Sequence, residues 1–417
     1  MNRTLSSLGI FACLLFSGCD KAGAPEKRPE PLNPGTITLT RAQQEYVNAG
    51  NTFALDITRE VFAEAERQDE DFVFSPLSVG YLLGMLENGA AGRTAEEIGK
   101  VLGYGTNDVA AVNAFFKSFM EQAGELDKRV LLQLANTIVL NRQFAPLKPG
   151  FVKAVGDNYA ADVATMDFRD TRTTLSRING WCSEKTHGMI PQILDDVSRQ
   201  ALTYLMNALY FKGTWSNKFD PDNTRKEDFT KGNGDKVRVD MMNIEGSYSR
   251  FPTADFETLS MPYGNGSFQM TFFLPAPGKD VGDVVRALNP EIWAQIMGQA
   301  YPALSHVKVP KFETAFRIHL EDVLAGLGMP SAFDSRTADF SAMTDLDCCL
   351  SFVLQKAKIK VDEEGSEAAA ATIGGVFTSA FPGDPRPLQF HLDRPFLYAI
   401  TENSTGAILF IGSYGAR

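Results

Sequence analysis

The sequence is poor in the residues that metal sites and disulfide frameworks require. Its 417 residues include only four histidines, and no two of them lie three or four positions apart, which excludes a zinc site of the HExxH kind. Five cysteines occur, but Cys348 and Cys349 are adjacent, and a bridge between neighbours is strained. We therefore expect Cys182, Cys348 and Cys349 to be small buried hydrophobic residues, and we expect neither a metal nor a cofactor.

Positive charge is also scarce. The chain has 40 Lys and Arg against 51 Asp and Glu, a net charge of −11, so no nucleic-acid partner is expected, because such partners require a basic surface. Hydrophobic residues make up 44%, which is enough for one large domain. The chain contains no nucleophile elbow and no papain-like cysteine motif. A hydrolase, which needs a nucleophile beside an oriented histidine, is therefore disfavoured.

The first apolar run is too short to span a bilayer. Leu5–Phe16 has the length of a signal-sequence core, and the small residues Ser17 and Gly18 then precede Cys19. This order resembles the bacterial lipobox, in which the signal is removed and the cysteine carries lipid, with Phe16 in place of the usual leucine. Cys19 is therefore the predicted lipidation site, and its acyl chains would form a stable membrane anchor.

The segment after Cys19 has the composition of a solvated spacer, with four prolines among charged residues between positions 25 and 34. We therefore divide the chain into a lipoprotein signal peptide (residues 1–18), a lipid-anchored, proline-rich tether (19–41) and one folded domain (42–417). This organisation predicts a protein of the bacterial cell envelope, anchored at the periplasmic face or the cell surface. Plain secretion is the alternative.

Hydrophobic periodicity predicts helices first and many strands afterwards, which is typical of an α+β domain with large sheets. Helices are predicted over residues 47–66, 77–88 and 94–102, the last with Thr94 as its cap and Glu97 at capping-box spacing. Strands are predicted over residues 71–74, 131–140, 202–211, 237–242, 268–274, 307–312, 350–361, 396–401 and 408–414.

One long segment, residues 363–395, has no ordinary structural explanation. A connection of roughly twenty or more residues between strands is uncommon in a compact domain and is usually functional or disordered. Its first residues are Glu363, Glu364, Gly365, Ser366, Glu367, Ala368, Ala369, Ala370, Ala371 and Thr372. Alternate residues of a strand share a face, and every second residue from Ser366 to Thr378 is small and uncharged. This set could enter a tight sheet interior; a flexible surface loop is the simpler alternative.

Further motifs occur in order along the chain. They are Phe74-Ser75-Pro76-Leu77-Ser78, Asn88-Gly89-Ala90, Ile178-Asn179-Gly180-Trp181, Asn207-Ala208-Leu209-Tyr210-Phe211-Lys212-Gly213-Thr214-Trp215, Pro310-Lys311-Phe312 and Asp393-Arg394-Pro395-Phe396. Together with the start of the long segment, these runs resemble the serpin family over about residues 45–414. The resemblance implies an α+β fold of three β-sheets and eight or nine helices, with an exposed reactive-centre loop at about residues 363–390.

The resemblance implies a single-use protease inhibitor and not an enzyme. In this family a protease attacks the loop as a substrate, and the cut loop then inserts into the central sheet and traps the acyl-enzyme. The expected partner is therefore a target protease in covalent complex with a monomeric inhibitor. Carrier or chaperone members are the alternative, but these generally have bulky or charged residues, or proline, at the start of the loop.

Individual roles are carried over from the family. Gly365 resembles the pivot of the hinge. The hinge residues are Glu363, Gly365, Ser366, Glu367, Ala368, Ala369, Ala370, Ala371 and Thr372. Lys311 and Glu363 resemble an ion pair at the top of the sheet (the breach), with Trp215 beneath it. A polar cluster under the sheet centre (the shutter) is expected from Ser75, Ser78, Asn179 and Gln355, where Gln355 stands in place of the histidine common in the family.

The bond to be cut is placed by the family spacing from Glu363, which gives Ser379–Ala380. Because this loop is longer on its C-terminal side, cleavage after three other residues stays open: Phe377, Thr378 and Phe381. No Lys or Arg occurs between Glu364 and Pro385, so trypsin-like targets are disfavoured. The expected targets are elastase-, subtilisin- or chymotrypsin-like enzymes, with papain-like enzymes as a further class.

Overall fold

The structure is a computed structural model that describes residues 32–104, 108–144, 146–351, 353–366 and 386–416. From Asn33 onward these residues belong to one compact unit. The predicted signal peptide, the lipidation site Cys19, the hinge from Glu367 to Thr372 and the candidate cleavage residues Phe377 to Phe381 lie outside the described residues.

Nine α-helices occur in the described ranges, and none of them is long and apolar enough to cross a membrane. They are α1 (Arg41–Gln68), α2 (Pro76–Glu87), α3 (Gly92–Val101), α4 (Val109–Glu125), α5 (Pro149–Tyr159), α6 (Thr171–Lys185), α7 (Val281–Ala287), α8 (Pro290–Gln299) and α9 (Glu321–Leu327). The three predicted helices are all present.

The predicted cap of the third helix is wrong. α3 begins at Gly92, two residues before Thr94, and Thr94 is buried within it. Its hydroxyl accepts a hydrogen bond of 3.0 Å from the backbone N–H of Asp339, while Glu97 accepts one of 2.9 Å from the backbone N–H of Ser331. Both side chains therefore fasten α3 to a distant part of the chain, because tertiary partners compete successfully with a local capping box.

Fifteen strands occur in the described residues. They are β1 (Val73–Phe74), β2 (Val130–Asn141), β3 (Ala161–Met166), β4 (Thr203–Thr214), β5 (Arg225–Thr230), β6 (Lys236–Pro252), β7 (Phe256–Tyr263), β8 (Phe268–Pro275), β9 (Tyr301–Pro310), β10 (Phe312–His319), β11 (Leu354–Val361), β12 (Gly365–Ser366), β13 (Leu388–His391), β14 (Phe396–Glu402) and β15 (Ile408–Tyr414).

These strands form two hydrogen-bonded sheets. One has the order β1-β15-β14-β8-β7-β6-β9-β13, with β5 also on β6, and the other the order β10-β11-β12-β4-β2-β3. The 17-residue strand β6 pairs with β5 at its start, with β9 along its middle and with β7 at its end. Because β6 pairs with all three strands, two of the three expected sheets are joined into one, and two sheets are observed in the described residues in place of three.

The six-stranded sheet contains the first residues of the long segment that the resemblance predicts to be a reactive-centre loop. β12 lies between β4 and β11 and pairs with both, and in the described residues no pairing joins β4 directly to β11. Helix α2 packs against β4 and against β15 of the other sheet. The polar residues of α2 and β4 therefore meet behind the middle of the six-stranded sheet.

The chain ahead of α1 is docked on the domain. The backbone N–H of Gly35 donates to the hydroxyl of Ser267 at 2.8 Å, and that of Ile37 donates to the hydroxyl of Ser404 at 2.9 Å. The Ile37 side chain is buried in the main core. The last residues of the predicted tether thus pack against the domain, several positions before the expected boundary at residue 42.

Candidate functional site

The hinge enters the sheet at β12. Gly365 lies opposite Thr214 of β4, and Ser366 pairs with Gly213 on one side and with Val361 of β11 on the other. The φ of Gly365 is 152°, and a Cβ at this position would lie 2.0 Å from the carbonyl oxygen of Gly213. Only glycine can make this approach, which agrees with the pivot role expected for it.

Trp215 supports the turn that precedes the hinge. Its indole N–H donates to the carbonyl oxygen of Asp362 at 3.0 Å, and its backbone N–H donates to that of Glu364 at 2.9 Å. The ring is 2% exposed and stacks on Tyr263, with centroids 4.4 Å apart and planes at 8°. Trp215 therefore holds the backbone from which the hinge departs.

The ion pair expected at the top of the sheet is present in the structure. Lys311 Nζ lies 2.8 Å from Glu363 Oε2, and the Thr224 hydroxyl donates to Glu363 Oε1 at 2.8 Å. Burial alone would raise the pKa of Glu363, but the hydrogen bond from Lys311 and those from its other donors outweigh burial and lower it. The hydrogen bond to Glu363 correspondingly raises the pKa of Lys311.

A second carboxylate of the same turn is also paired, which no motif predicted. Glu364 forms a salt bridge with Lys218, and its backbone N–H donates to Asp362 Oδ1 at 3.0 Å. The signal available in the sequence was the pair of consecutive glutamates. Since both find cations from elsewhere in the chain, the turn before β12 is anchored on two sides.

Ser366 also has a partner that sequence reasoning missed. Its hydroxyl lies 2.5 Å from the hydroxyl of Tyr263, and both side chains are buried. Tyr263 was not recognisable as a site residue, because an aromatic residue at the end of an apolar strand is ordinary core material.

The shutter cluster forms around Ser75. Its backbone N–H donates to Gln355 Oε1 at 2.9 Å, and Gln355 Nε2 donates back to the Ser75 carbonyl oxygen at 3.0 Å. The Ser75 hydroxyl donates to the carbonyl oxygen of Leu409 at 2.7 Å and accepts from the backbone N–H of Ser78 at 3.1 Å. Gln355 therefore links α2 to β11 without a titratable ring.

The fourth member of this cluster is Asn207, whereas Asn179 was expected. The Ser78 hydroxyl donates to Asn207 Oδ1, and Asn207 Nδ2 donates to Asn136 Oδ1 at 2.6 Å. Asn179 on α6 instead accepts from the backbone N–H groups of Ile193 and Leu194 at 2.9 and 3.0 Å, so it fixes the loop after its own helix. An asparagine inside the predicted apolar strand 202–211 was the signal for Asn207.

The other end of the loop is held by β13. This strand of four residues pairs in parallel with β9 alone in the described residues. His391 Nε2 lies 3.0 Å from His306 Nδ1, which also lies 3.0 Å from Gln389 Oε1. Burial, followed by the neighbouring His306 and Lys308, lowers the pKa of His391.

The cysteines are less uniformly buried than expected. All three in the described residues are free, and Cys182 is buried, which raises its pKa to about 11. Cys348 and Cys349 are only half-buried and lie in the loop that precedes β11. Within the described residues no group of three His, Cys, Asp or Glu side chains is placed to hold a metal ion.

Comparison with known proteins identifies the family. A family profile described as "Serpin (serine protease inhibitor)" matches residues 48–415. The leukocyte elastase inhibitor of Xenopus laevis is 33% identical over 363 residues, which cover 82% of this chain and 92% of that protein. Neuroserpin of Gallus gallus is 32% identical over 363 residues, covering 84% of this chain and 86% of the relative.

Solved structures give the same result. The native-state crystal structure of the thermophilic serpin tengpin has a TM-score of 0.81 at 27% identity, covering 92% of this chain and 96% of that chain. The crystal structure of human thyroxine-binding globulin has a TM-score of 0.81 at 25% identity, covering 90% of this chain and 99% of that chain. The chain belongs to the serpin family, a family of protease inhibitors. The predicted fold class is confirmed.

Proposed function

We propose that this protein is an inhibitory serpin, which traps a protease by inserting its cleaved loop into the six-stranded sheet. The main supporting observation is β12, in which Gly365 and Ser366 already lie between β4 and β11. In the sequence Glu367 comes next, and four alanines and a threonine follow it. On the face shared with Ser366, every second residue up to Thr378 is small and uncharged, which suits the continuation of this strand.

The energetics favour such an insertion. Each further residue drawn between β4 and β11 would add ladder hydrogen bonds worth about 0.5–1.5 kcal/mol each. Roughly 15 residues would therefore contribute on the order of 10 kcal/mol, comparable with the stability of a whole domain. The uncleaved protein would then be held by a kinetic barrier, and Gln355, Ser75 and Asn207 are the contacts behind the sheet that must adjust.

The loop sequence supports targets with apolar or shallow specificity pockets. We propose cleavage at Ser379–Ala380, with Phe377, Thr378 and Phe381 as the alternative residues before the cut. Elastase-, subtilisin- and chymotrypsin-like enzymes are the expected targets, and papain-like enzymes are a further class.

A protease panel tests this function. Incubation with elastase, subtilisin or chymotrypsin should give a denaturant-resistant covalent complex on gels, and incubation with trypsin should not. Mass spectrometry of the small C-terminal fragment should place the cut after Ser379. A stoichiometric complex with trypsin and none with the other three would contradict the proposed specificity.

Two loop variants provide a matched pair for this experiment. Strand alternation assigns Ala370 to the face that enters the sheet interior and Ala371 to the opposite face. Ala370→Glu should therefore convert the inhibitor into a substrate, because insertion would bury a charge, while Ala371→Glu should be milder. Equal stoichiometries of inhibition for the two variants would show that this register is wrong.

A carrier function is the second candidate, because human thyroxine-binding globulin has the same fold. The small residues of the hinge favour inhibition. Nicking the loop near Ser379 separates the two functions: an inhibitory serpin should melt at a markedly higher temperature after the cut, because the freed strand inserts. An unchanged melting temperature would favour the carrier.

We also propose that Cys19 carries the lipid that anchors the protein in a bacterial cell envelope. The support is the signal-like run before Cys19 and the spacer after it. Cys19→Ala should release the protein from membranes without changing inhibition. Retention of the variant at the membrane would point to another anchor.

A further inference from the structure

The hydroxyl of Tyr263 contacts the first side chain of the loop that lies inside the sheet. It lies 2.5 Å from the hydroxyl of Ser366, and the two residues are 0% and 1% exposed. Tyr263 ends β7 in the nine-stranded sheet, whereas Ser366 belongs to β12 in the six-stranded sheet. This hydrogen bond therefore joins the two sheets at the point where the hinge enters.

The surroundings hold the Tyr263 ring in place for this contact. One face stacks on Trp215 at 4.4 Å. Gly213, which pairs with Ser366, leaves room for the ring, because a Cβ at Gly213 would lie 2.8 Å from it. Burial raises the pKa of Tyr263 well above its ordinary value, an effect that the bond to Ser366 only partly offsets, so the phenol is neutral and can donate.

The buried hydroxyl of Tyr263 has a hydrogen-bond partner only while the hinge stays in the sheet. In the described residues, Ser366 is the hydrogen-bond partner of Tyr263. If the hinge left the sheet, a buried hydroxyl would lose that partner, and an unpaired buried polar group is more costly than an ordinary hydrogen bond is favourable. The contact thus opposes withdrawal of Ser366.

We propose that Tyr263 is a positioning residue that keeps Ser366 engaged between β4 and β11 before the loop is cut, and so favours insertion over release of the protease. The consequence for inhibition rests on the proposed function. An engaged strand end extends residue by residue, whereas a withdrawn one must first order its backbone. Delay at this step gives the protease time to hydrolyse the acyl-enzyme and escape.

The test is Tyr263→Phe, which removes the hydroxyl and keeps the ring. In the uncleaved variant, hydrogen exchange of the segment 362–366 should be faster by about fivefold, the factor that corresponds to one neutral hydrogen bond of about 1 kcal/mol. The number of inhibitor molecules consumed per protease trapped should rise in parallel. Ser366→Ala should have the same two effects, and Ser366→Thr, which retains a hydroxyl, should restore both.

Tyr248→Phe is the matched control. Tyr248 is a buried tyrosine of β6 in the same sheet as Tyr263, and in the described residues its hydroxyl has no hydrogen-bond partner. Its removal should leave both measurements unchanged. The double variant Tyr263→Phe with Ser366→Ala should resemble either single variant, because the two hydroxyls act as one pair.

Unchanged exchange at 362–366 in both Tyr263→Phe and Ser366→Ala would overturn the inference, as would full additivity in the double variant. The exchange measurement needs no protease. If the unmodified protein traps no enzyme of the panel, the proposed function fails, and a faster exchange in Tyr263→Phe would still establish that this tyrosine positions the hinge.

Discussion

The two ends of the reactive-centre loop are attached to the domain in different ways. At the N-terminal end, β12 lies between two strands, and the turn before it is held by salt bridges from Glu363 to Lys311 and from Glu364 to Lys218. The C-terminal end, β13, has one parallel partner strand, and Leu388 is 49% exposed. The first end is buried and paired on both edges, while the second is an exposed edge strand.

This difference supports the proposed insertion of the N-terminal end into the sheet. A strand with partners on both sides can be extended by adding residues to it, so we propose the N-terminal end as the starting point for insertion. The C-terminal end pairs along one edge only, and its side-chain contacts include the pair His306–His391 and the Arg250 guanidinium over the ring of the buried Phe390. We therefore expect large effects from substitutions at the first end, and small, pH-dependent ones at the second.

The largest effect should come from Gly365→Ala. The new methyl group would meet the backbone of Gly213 at 2.0 Å, so β12 must leave the sheet, at a cost of about 2 kcal/mol or more. Urea unfolding and inhibition stoichiometry measure the two consequences. Gly298→Ala is the control, because nothing lies within 4 Å of a Cβ there; equal stability of the two variants would remove the pivot role of Gly365.

A smaller effect is expected from Lys311→Met, which leaves the buried Glu363 carboxylate without its cation. The free energy of unfolding at pH 7 should fall by about 2 kcal/mol, which is typical of a hydrogen bond to a charged group. Because the pKa of Glu363 is lowered in the folded protein, its stabilisation is present above its ordinary pKa of about 4.5 and is lost as the pH falls through the folded value. The difference in the free energy of unfolding between Lys311→Met and the unmodified protein should therefore become smaller below about pH 4.5.

Lys358→Met provides the comparison for that substitution. Lys358 pairs with Glu313 at 2.7 Å in the same sheet, but the Glu313 side chain is 50% exposed, against 11% for Glu363. Loss of the Lys358 ammonium should therefore lower the free energy of unfolding by less than about 1 kcal/mol. Urea unfolding at pH 7 measures both variants. An equal decrease in the free energy of unfolding for Lys311→Met and Lys358→Met would mean that the ion pair at the top of the sheet contributes no more to stability than an exposed pair.

The smallest effect should be found at β13. The pKa of His391 is lowered, so the folded protein favours the neutral ring, and this contribution is lost as the pH falls below about 6.5. Protonated His391 would face His306 and Lys308, and the carboxylates of Glu227 and Asp393 only partly compensate. Amide exchange of 388–391, corrected for its intrinsic pH dependence, should be about threefold faster at pH 5.5 than at pH 7.5.

His391→Gln should remove that pH dependence, because glutamine can still bond to His306 but cannot acquire a proton. His319→Gln, a substitution of an exposed histidine on β10, should leave it unchanged. Persistence of the effect in His391→Gln would show that another group weakens β13 at acidic pH.

Part of the candidate site could be predicted from the sequence, because those residues lie in short recognisable motifs. Gly365 follows two glutamates and precedes a run of small residues, and Lys311 lies in a Pro-Lys-Phe motif. Asn207 was overlooked and Asn179 was chosen, because both lie in recognisable motifs and only packing decides which one faces Ser78. The register of β2, β4 and α2 is a non-local property that no single motif contains.

The sequence by itself determined the α+β class, the three early helices and most strands, because hydrophobic periodicity acts over a few residues. Only the tertiary structure decided that β6 unites two sheets, that Thr94 bonds to a distant loop in place of capping its helix, and that Tyr263 meets Ser366. The two side-chain contacts join residues more than 100 positions apart: 245 positions separate Thr94 from Asp339, and 103 separate Tyr263 from Ser366. Burial explains these contacts, since a polar group such as the hydroxyl of Thr94 or Tyr263, once enclosed by the core, must find a partner wherever the fold places one.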